Sequence, residues 1–159
     1  IDAGLTYLEN EPLGRVTSVP LYAERYCLIT SKGGPFADQA EVTWKQAGDL
    51  RLCLLTADMQ NRRIINRHFA EAGVDVKPTL ESNSMIVIIS HVRTGRWCSI
   101  MPRNVAKSFG FPEEISIVSL VEPEPHHSIG LVATHREPFT PLVSALLHEA
   151  RNLAEKGVD

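Results

Sequence analysis

Near the carboxyl terminus, Leu142, Val143, Leu146, Leu147, Ala150, Leu153 and Ala154 recur at steps of three and four, the spacing that gathers side chains on one face of a helix. Thr140 stands where an N-cap belongs, Pro141 occupies the first helical position and Gly157 stops the run, so a helix from 141 to about 156 is predicted. The same reasoning predicts a helix over 59–72, with Ile64, Ile65, Phe69 and Ala72 on one face and Gly73 as its left-handed cap. A third helix, 85–94, follows the capping cluster Ser82-Asn83-Ser84 and ends at Gly95. Its residues Met85-Ile86-Val87-Ile88-Ile89 are apolar almost all the way round, which predicts burial on most faces. Thr43 caps a short helix over 44–48, and Pro102 opens another that runs to Ser108.

Between these helices the pattern becomes extended. Residues 2–8 form a strand closed by the polar turn Glu9-Asn10-Glu11-Pro12-Leu13-Gly14. Residues 16–31 divide into two extended segments at Pro20, and Lys32-Gly33-Gly34-Pro35 ends the second. Compact apolar runs at 51–55, 76–81, 97–101, 115–121 and 128–134 supply further strands. Strands alternating with helices predict an α/β fold with mostly parallel sheets. No internal repeat or low-complexity tract interrupts it.

Composition narrows the function. The 159 residues are 43% apolar and 22% charged, enough for a packed core. No apolar run reaches the roughly 18 residues of a bilayer span, and residues 1–5 carry no basic-then-apolar leader, so the reading is cytoplasmic, with no membrane partner. Sixteen Lys and Arg against 19 Asp and Glu give a net charge of −3, the wrong balance for a fragment that binds nucleic acid by itself.

Catalytic signatures are missing. There is no glycine-rich phosphate loop, no Gly-x-Ser-x-Gly elbow, and no His-Glu-x-x-His among the six histidines, so the expectation is a protein that binds and is not an enzyme. Cys27, Cys53 and Cys98 each sit in apolar sequence and read as buried thiols; only Cys98, two residues from Arg96, has a charged neighbour that hints at reactivity. His126-His127 with Glu124 lacks a third ligand at a recognisable spacing, and neither metal nor cofactor is expected.

The order of landmarks resembles one family. Asp2-Ala3-Gly4-Leu5, then Val19-Pro20-Leu21-Tyr22-Ala23-Glu24-Arg25-Tyr26, then Glu71-Ala72-Gly73, Glu81-Ser82-Asn83-Ser84, Val92-Arg93-Thr94-Gly95 leading to Ser99-Ile100-Met101-Pro102, and the closing helix are similar to the effector-binding domain of LysR-type transcription regulators. Each piece is weak alone; their order and spacing carry the resemblance. It implies a periplasmic-binding-protein-like two-lobe fold, with residues 1–26 and 126–159 in the first lobe and 27–125 forming the second. It also implies that the first lobe is incomplete here, because its opening strand, helix and strand have no counterpart in residues 1–159, and neither has the helix-turn-helix. The implied partners are a small-molecule effector, promoter DNA reached only through the helix-turn-helix domain, and further copies of the chain in a homo-oligomer. The lobes would open and close about crossing strands near Tyr26 and Pro125. A solute-binding protein of a transport system is the alternative from another class.

Ligands in open α/β sheets sit beyond the carboxyl ends of strands, where helix N-termini offer N–H groups. Residues 56–61 are one such place, where Thr56, Gln60 and Asn61 present hydroxyl and amide groups to a small anion or carboxylate. The residues alone favour an ordinary cap with solvated side chains; the resemblance favours the ligand. The second place is Asn83 and Ser84, beside which Met101 and Pro102 are expected to form an apolar wall. Thr6 ends the first-lobe strand and is expected to face the cleft. Arg62 and Arg63 open a helix, where positive charge opposes the dipole, so they call for an anion or a partner acid unless they are plain surface charge. The helix over 59–72 is also a candidate dimer contact through Ile64, His68 and Glu71.

Overall fold

A computed structural model describes residues 2–110, 113–124 and 126–157. The chain divides into two compact units, one made of Ile1–Glu24 with His126–Asp159 and the other of Arg25–Pro125.

In the first unit, β1 (Ala3–Tyr7) and β2 (Val16–Glu24) flank β9 (His127–Thr134), and both pairs are antiparallel. Helix α5 (Pro141–Lys156) packs on β2 and β9, closing a core of Val19, Leu131, Ala133, Val143, Leu147 and Ala150. Thr140 caps α5 as its sequence predicts, the hydroxyl accepting from the Val143 amide at 3.4 Å. Pro20 does not break β2. A proline lacks only the donor N–H, so the strand absorbs it as a register irregularity between Pro20 and Tyr22 and continues to Glu24.

The second unit contains β3 (Tyr26–Ser31), β4 (Glu41–Thr43), α1 (Trp44–Gly48), β5 (Cys53–Leu55), α2 (Gln60–Glu71), β6 (Leu80–Ser82), α3 (Met85–Arg93), β7 (Ser99–Pro102), α4 (Arg103–Ser108) and β8 (Ile115–Val121). Four strands pair in the order β4-β8-β3-β7, β5 pairs with β6, and a parallel bridge between Leu52 and Cys98 ties the two groups together. Pairing is parallel for β5 with β6 and β4 with β8, and antiparallel for β3 with both β7 and β8. Mostly parallel sheets were expected from the alternation of elements; the antiparallel pairs arise because β3 runs between two strands of opposite direction, and because β9 does the same in the first unit.

Strand β3 is buried on both faces, which its unbroken apolar run requires. Cys27 and Ile29 share one core with Cys53, Leu55, Ile88, Ile89, Val92 and Met101 beneath α3 and α4. Trp44, from α1, lies edge-on to Phe69 of α2 at 5.2 Å and donates its indole N–H to the Pro123 carbonyl at 3.0 Å.

Three sequence expectations change. Helix α3 buries Ile88, Ile89 and Val92 only, while Ile86 is 69% exposed, because a helix laid on one face of a sheet covers a single stripe. Strand β6 shrinks from 76–81 to its last residues: Pro78 has no N–H to donate, and pairing with β5 begins at Leu80. On α2, Ile64 and His68 are buried and cannot form an exposed dimer face, which leaves Arg63, Asn66, Arg67, Ala70 and Glu71 exposed.

Candidate functional site

The parallel register of β5 and β6 sets Leu55 against Ser82, so both strands end together and the chain leaves them at Thr56 and Asn83. The Thr56 amide donates to the Ser82 carbonyl at 3.2 Å, which extends the ladder by one bond and fixes the two turns side by side. Strand β7 runs parallel to β5 through the Leu52–Cys98 bridge and ends at Pro102, on the same side of the sheet. Three carboxyl ends therefore meet there, each followed by the start of a helix.

All three of those helices begin without side-chain caps, α4 because its N-cap is Pro102. Met59, the N-cap of α2, has no oxygen to offer, and the Ser84 side chain makes no cap bond to α3. Ser82 supplies the local turn instead, its hydroxyl accepting from the Ser84 amide at 3.1 Å. By contrast, α1 carries a full capping box between Thr43 and Gln46, and α5 is capped by Thr140. The reading of Thr56 as an ordinary cap is thereby removed, since the N-cap position falls on Met59.

Polar atoms around these turns lack partners. Among the described residues, the Thr56 hydroxyl and the Asn61 side-chain carbonyl are buried with no hydrogen bond, as is the Ser99 hydroxyl. Buried polar groups are nearly always paired, and an orphan costs about 1–3 kcal/mol.

Arg62 supplies the scaffold that the sequence left open. Its side chain, about 6% exposed, pairs with Glu81 of β6, donates to the Leu55 carbonyl at 2.5 Å and donates from Nε to Asn66 Oδ1 at 2.8 Å. The partner acid lies 19 residues away, a separation that no local pattern displays. Arg63 takes the Asp58 carbonyl at 2.5 Å, holding the turn that leads into α2.

The remaining candidates lie as follows. Gln60 is half-buried at the start of α2, and Asn83 is exposed in the turn after β6. Pro102 is buried and pairs with Tyr26. Met101 is fully enclosed in the core under α3 and α4, so its side chain packs there and does not stand open beside the polar turns. Thr6 pairs with Gly130 in the first unit. Sequence reasoning overlooked Arg103, the first residue of α4, which donates to the Ser119 hydroxyl at 2.6 Å and places a guanidinium where β7 ends. An arginine directly after a strand end, at the first turn of a helix, was the available signal.

Two other groups have settled roles. Burial pushes the Cys27 thiol up to about 12, against the lowering influence of Arg103 and Lys107, and the Cys53 thiol up to about 11. Cys98 is raised by burial too and lies 3.5 Å from the Thr30 hydroxyl, so its neighbour Arg96 does not activate it. Glu124 bonds Arg25 at 2.7 Å, and His127 is buried edge-on to Tyr7.

Comparisons with known proteins follow the same lines. The family model described as the LysR substrate binding domain matches residues 1–155. A probable nitrogen assimilation transcriptional activator of Synechococcus elongatus is 24% identical over 85% of this chain and 47% of its own length. The chain thus spans about half of that curated relative. Among solved structures, the CcmR regulatory domain of Synechocystis PCC6803 in complex with 2-PG superposes with a TM-score of 0.84 at 16% identity, covering 97% of this chain and 74% of that one. The effector-binding domain of QuiR in complex with shikimate gives 0.79 at 20% identity, covering 98% and 72%. Full-length CbnR complexed with its target DNA also gives 0.79, at 16% identity, covering 97% and 53%.

Proposed function

Because this chain belongs to the LysR substrate binding domain family, we propose that it is the effector-binding part of a cytoplasmic, homo-oligomeric transcription regulator. It binds a small anionic metabolite without turning it over, and the occupied form changes the grip of the whole protein on promoter DNA. The anion sits against Thr56, Gln60, Asn61, Asn83 and Ser84 at the ends of β5 and β6. Buried, unpartnered oxygens of Thr56 and Asn61, placed between two helix starts that have no side-chain caps, are the observation that carries this reading. Helix N-termini attract anions through free N–H groups and the helix dipole, and a ligand hydroxyl or ammonium hydrogen would satisfy the Asn61 carbonyl. Shikimate, seen with the QuiR domain, is a carboxylate that carries hydroxyls, which is the chemistry these groups select.

A bound ligand shifts a conformational equilibrium only by its differential affinity for the two states, so the effector must hold one arrangement of the protein more tightly than the other. The test is calorimetry on the full-length gene product, with a panel of small carboxylates and phosphates that includes shikimate and 2-PG. Ser84→Ala should weaken the binding of whichever compound binds, by about 1–3 kcal/mol. Unchanged affinity in that variant would remove Ser84 from the site.

A further inference from the structure

Beneath α3 and α4 the second unit contains a cavity of about 250 Å³, on the face of the sheet that carries Ile29, Met101 and Ile117. Ile89 closes it from α3 and Ala106 from α4, so the wall is almost entirely hydrocarbon. Protein interiors pack with few voids larger than a water molecule, whose share of liquid volume is about 30 Å³. Apolar cavities of roughly 150 Å³ stay dry and take up benzene, so this one has room for a larger guest. Lys107 is the single charged residue of its lining, exposed at the rim and in no ion pair among the described residues. Gly110, also in the lining, has no described atom within 4 Å of where a Cβ would stand, its chain neighbours aside.

We propose that this cavity is a second ligand site, separate from the polar turns at Thr56 and Ser84, which takes an apolar molecule with one acidic end: the hydrocarbon among the isoleucines and Met101, the carboxylate at Lys107. Thr56, Asn61 and Ser84 are absent from its lining, and the inference does not depend on the anion site. It also gives a use to the enclosed Met101 side chain, which packs in this wall one residue before the end of β7.

Sodium octanoate is the probe, titrated by calorimetry into the whole protein, with Met101 methyl resonances read in parallel. Saturable binding with a shift of the Met101 methyl signal is expected. Ala106→Leu and Ile117→Phe, which fill the void, should each weaken octanoate at least about tenfold. Lys107→Met should weaken it about fivefold, the value of an exposed ion pair, and leave 1-octanol unaffected. Ser84→Ala should not change octanoate binding at all. Should one filling variant fail to fold, the other decides. No saturable octanoate binding to the wild type, or binding that survives the filling substitutions, overturns the site; equal loss of octanoate and octanol in Lys107→Met overturns the acidic end.

Discussion

The Arg62 guanidinium is bonded to the Glu81 carboxylate, so that a buried cation on α2 grips the strand next to the one it also holds through the Leu55 carbonyl. This pair fixes the two strand ends from which Thr56 and Asn83 emerge. Arg62→Met would leave the Leu55 carbonyl without its charged donor and Glu81 without its partner, and should cost about 2 kcal/mol in a urea unfolding curve. Glu81→Gln should cost less, because the Glu81 side chain is 45% exposed and water replaces part of what is lost. Equal losses in the two variants would show that the ion pair, and not the strand-end carbonyl, is what Arg62 serves.

Capping separates structural hydroxyls from the others. Thr140 caps α5 directly, so Thr140→Ala should lower stability by about 1 kcal/mol. Ser84→Ala, which removes no cap bond, should lower it by clearly less. Denaturant midpoints on the two variants compare them; similar losses would mean that the Ser84 hydroxyl caps α3 in solution.

Glu24 is 4% exposed, and burial raises its carboxyl above the ordinary 4.5, partly offset by the Tyr7 hydroxyl, which donates to Oε2 at 2.6 Å. A folded-state value above the unfolded one means that the fold prefers the protonated acid. Its contribution to stability is fully present below pH 4.5 and is lost as pH rises through the raised folded value. Glu24→Gln keeps an oxygen for Tyr7 and cannot ionise, so the variant should gain stability relative to wild type as pH increases from 4.5 to 7. Parallel stability–pH curves for the two proteins would refute this.

All three cysteines are buried thiols with raised values. Since the thiolate is the reactive form, iodoacetamide at pH 7.5 should label none of them in the native protein and all three in urea. Labelling of native Cys98 at the rate of a free thiol would contradict its burial.

Much of this fold could be read from the chain. Thr140-Pro141 and the spacing that follows define α5, and the Thr43 cap defines α1, because both are local signals decided within one turn of helix. What escaped was decided by distant partners. Strand β4 is three residues long and exists through its pairing with β8, nearly eighty residues away. The exposure of Ile86 depends on which face of the sheet α3 covers, and apolar content cannot tell one covered face from two. Thr56, Asn61 and Ser84 were nameable because they follow strand ends; that the first two hold unpartnered oxygens, and that Glu81 answers Arg62, are tertiary facts.

The central claim rests on Thr56, whose buried hydroxyl has no partner among the described residues. Thr56→Val replaces that hydroxyl by a methyl group of nearly the same volume, so the folded protein loses no hydrogen bond. Stability and small-anion affinity of the full-length protein should therefore move apart: an unfolding midpoint equal to or above wild type, with affinity for the compound that binds wild type reduced by about 1–3 kcal/mol, roughly 5- to 150-fold. Calorimetry and a urea curve on the same preparation measure both. A Thr56→Val protein that binds the anion as wild type does, and unfolds more easily, would contradict the account.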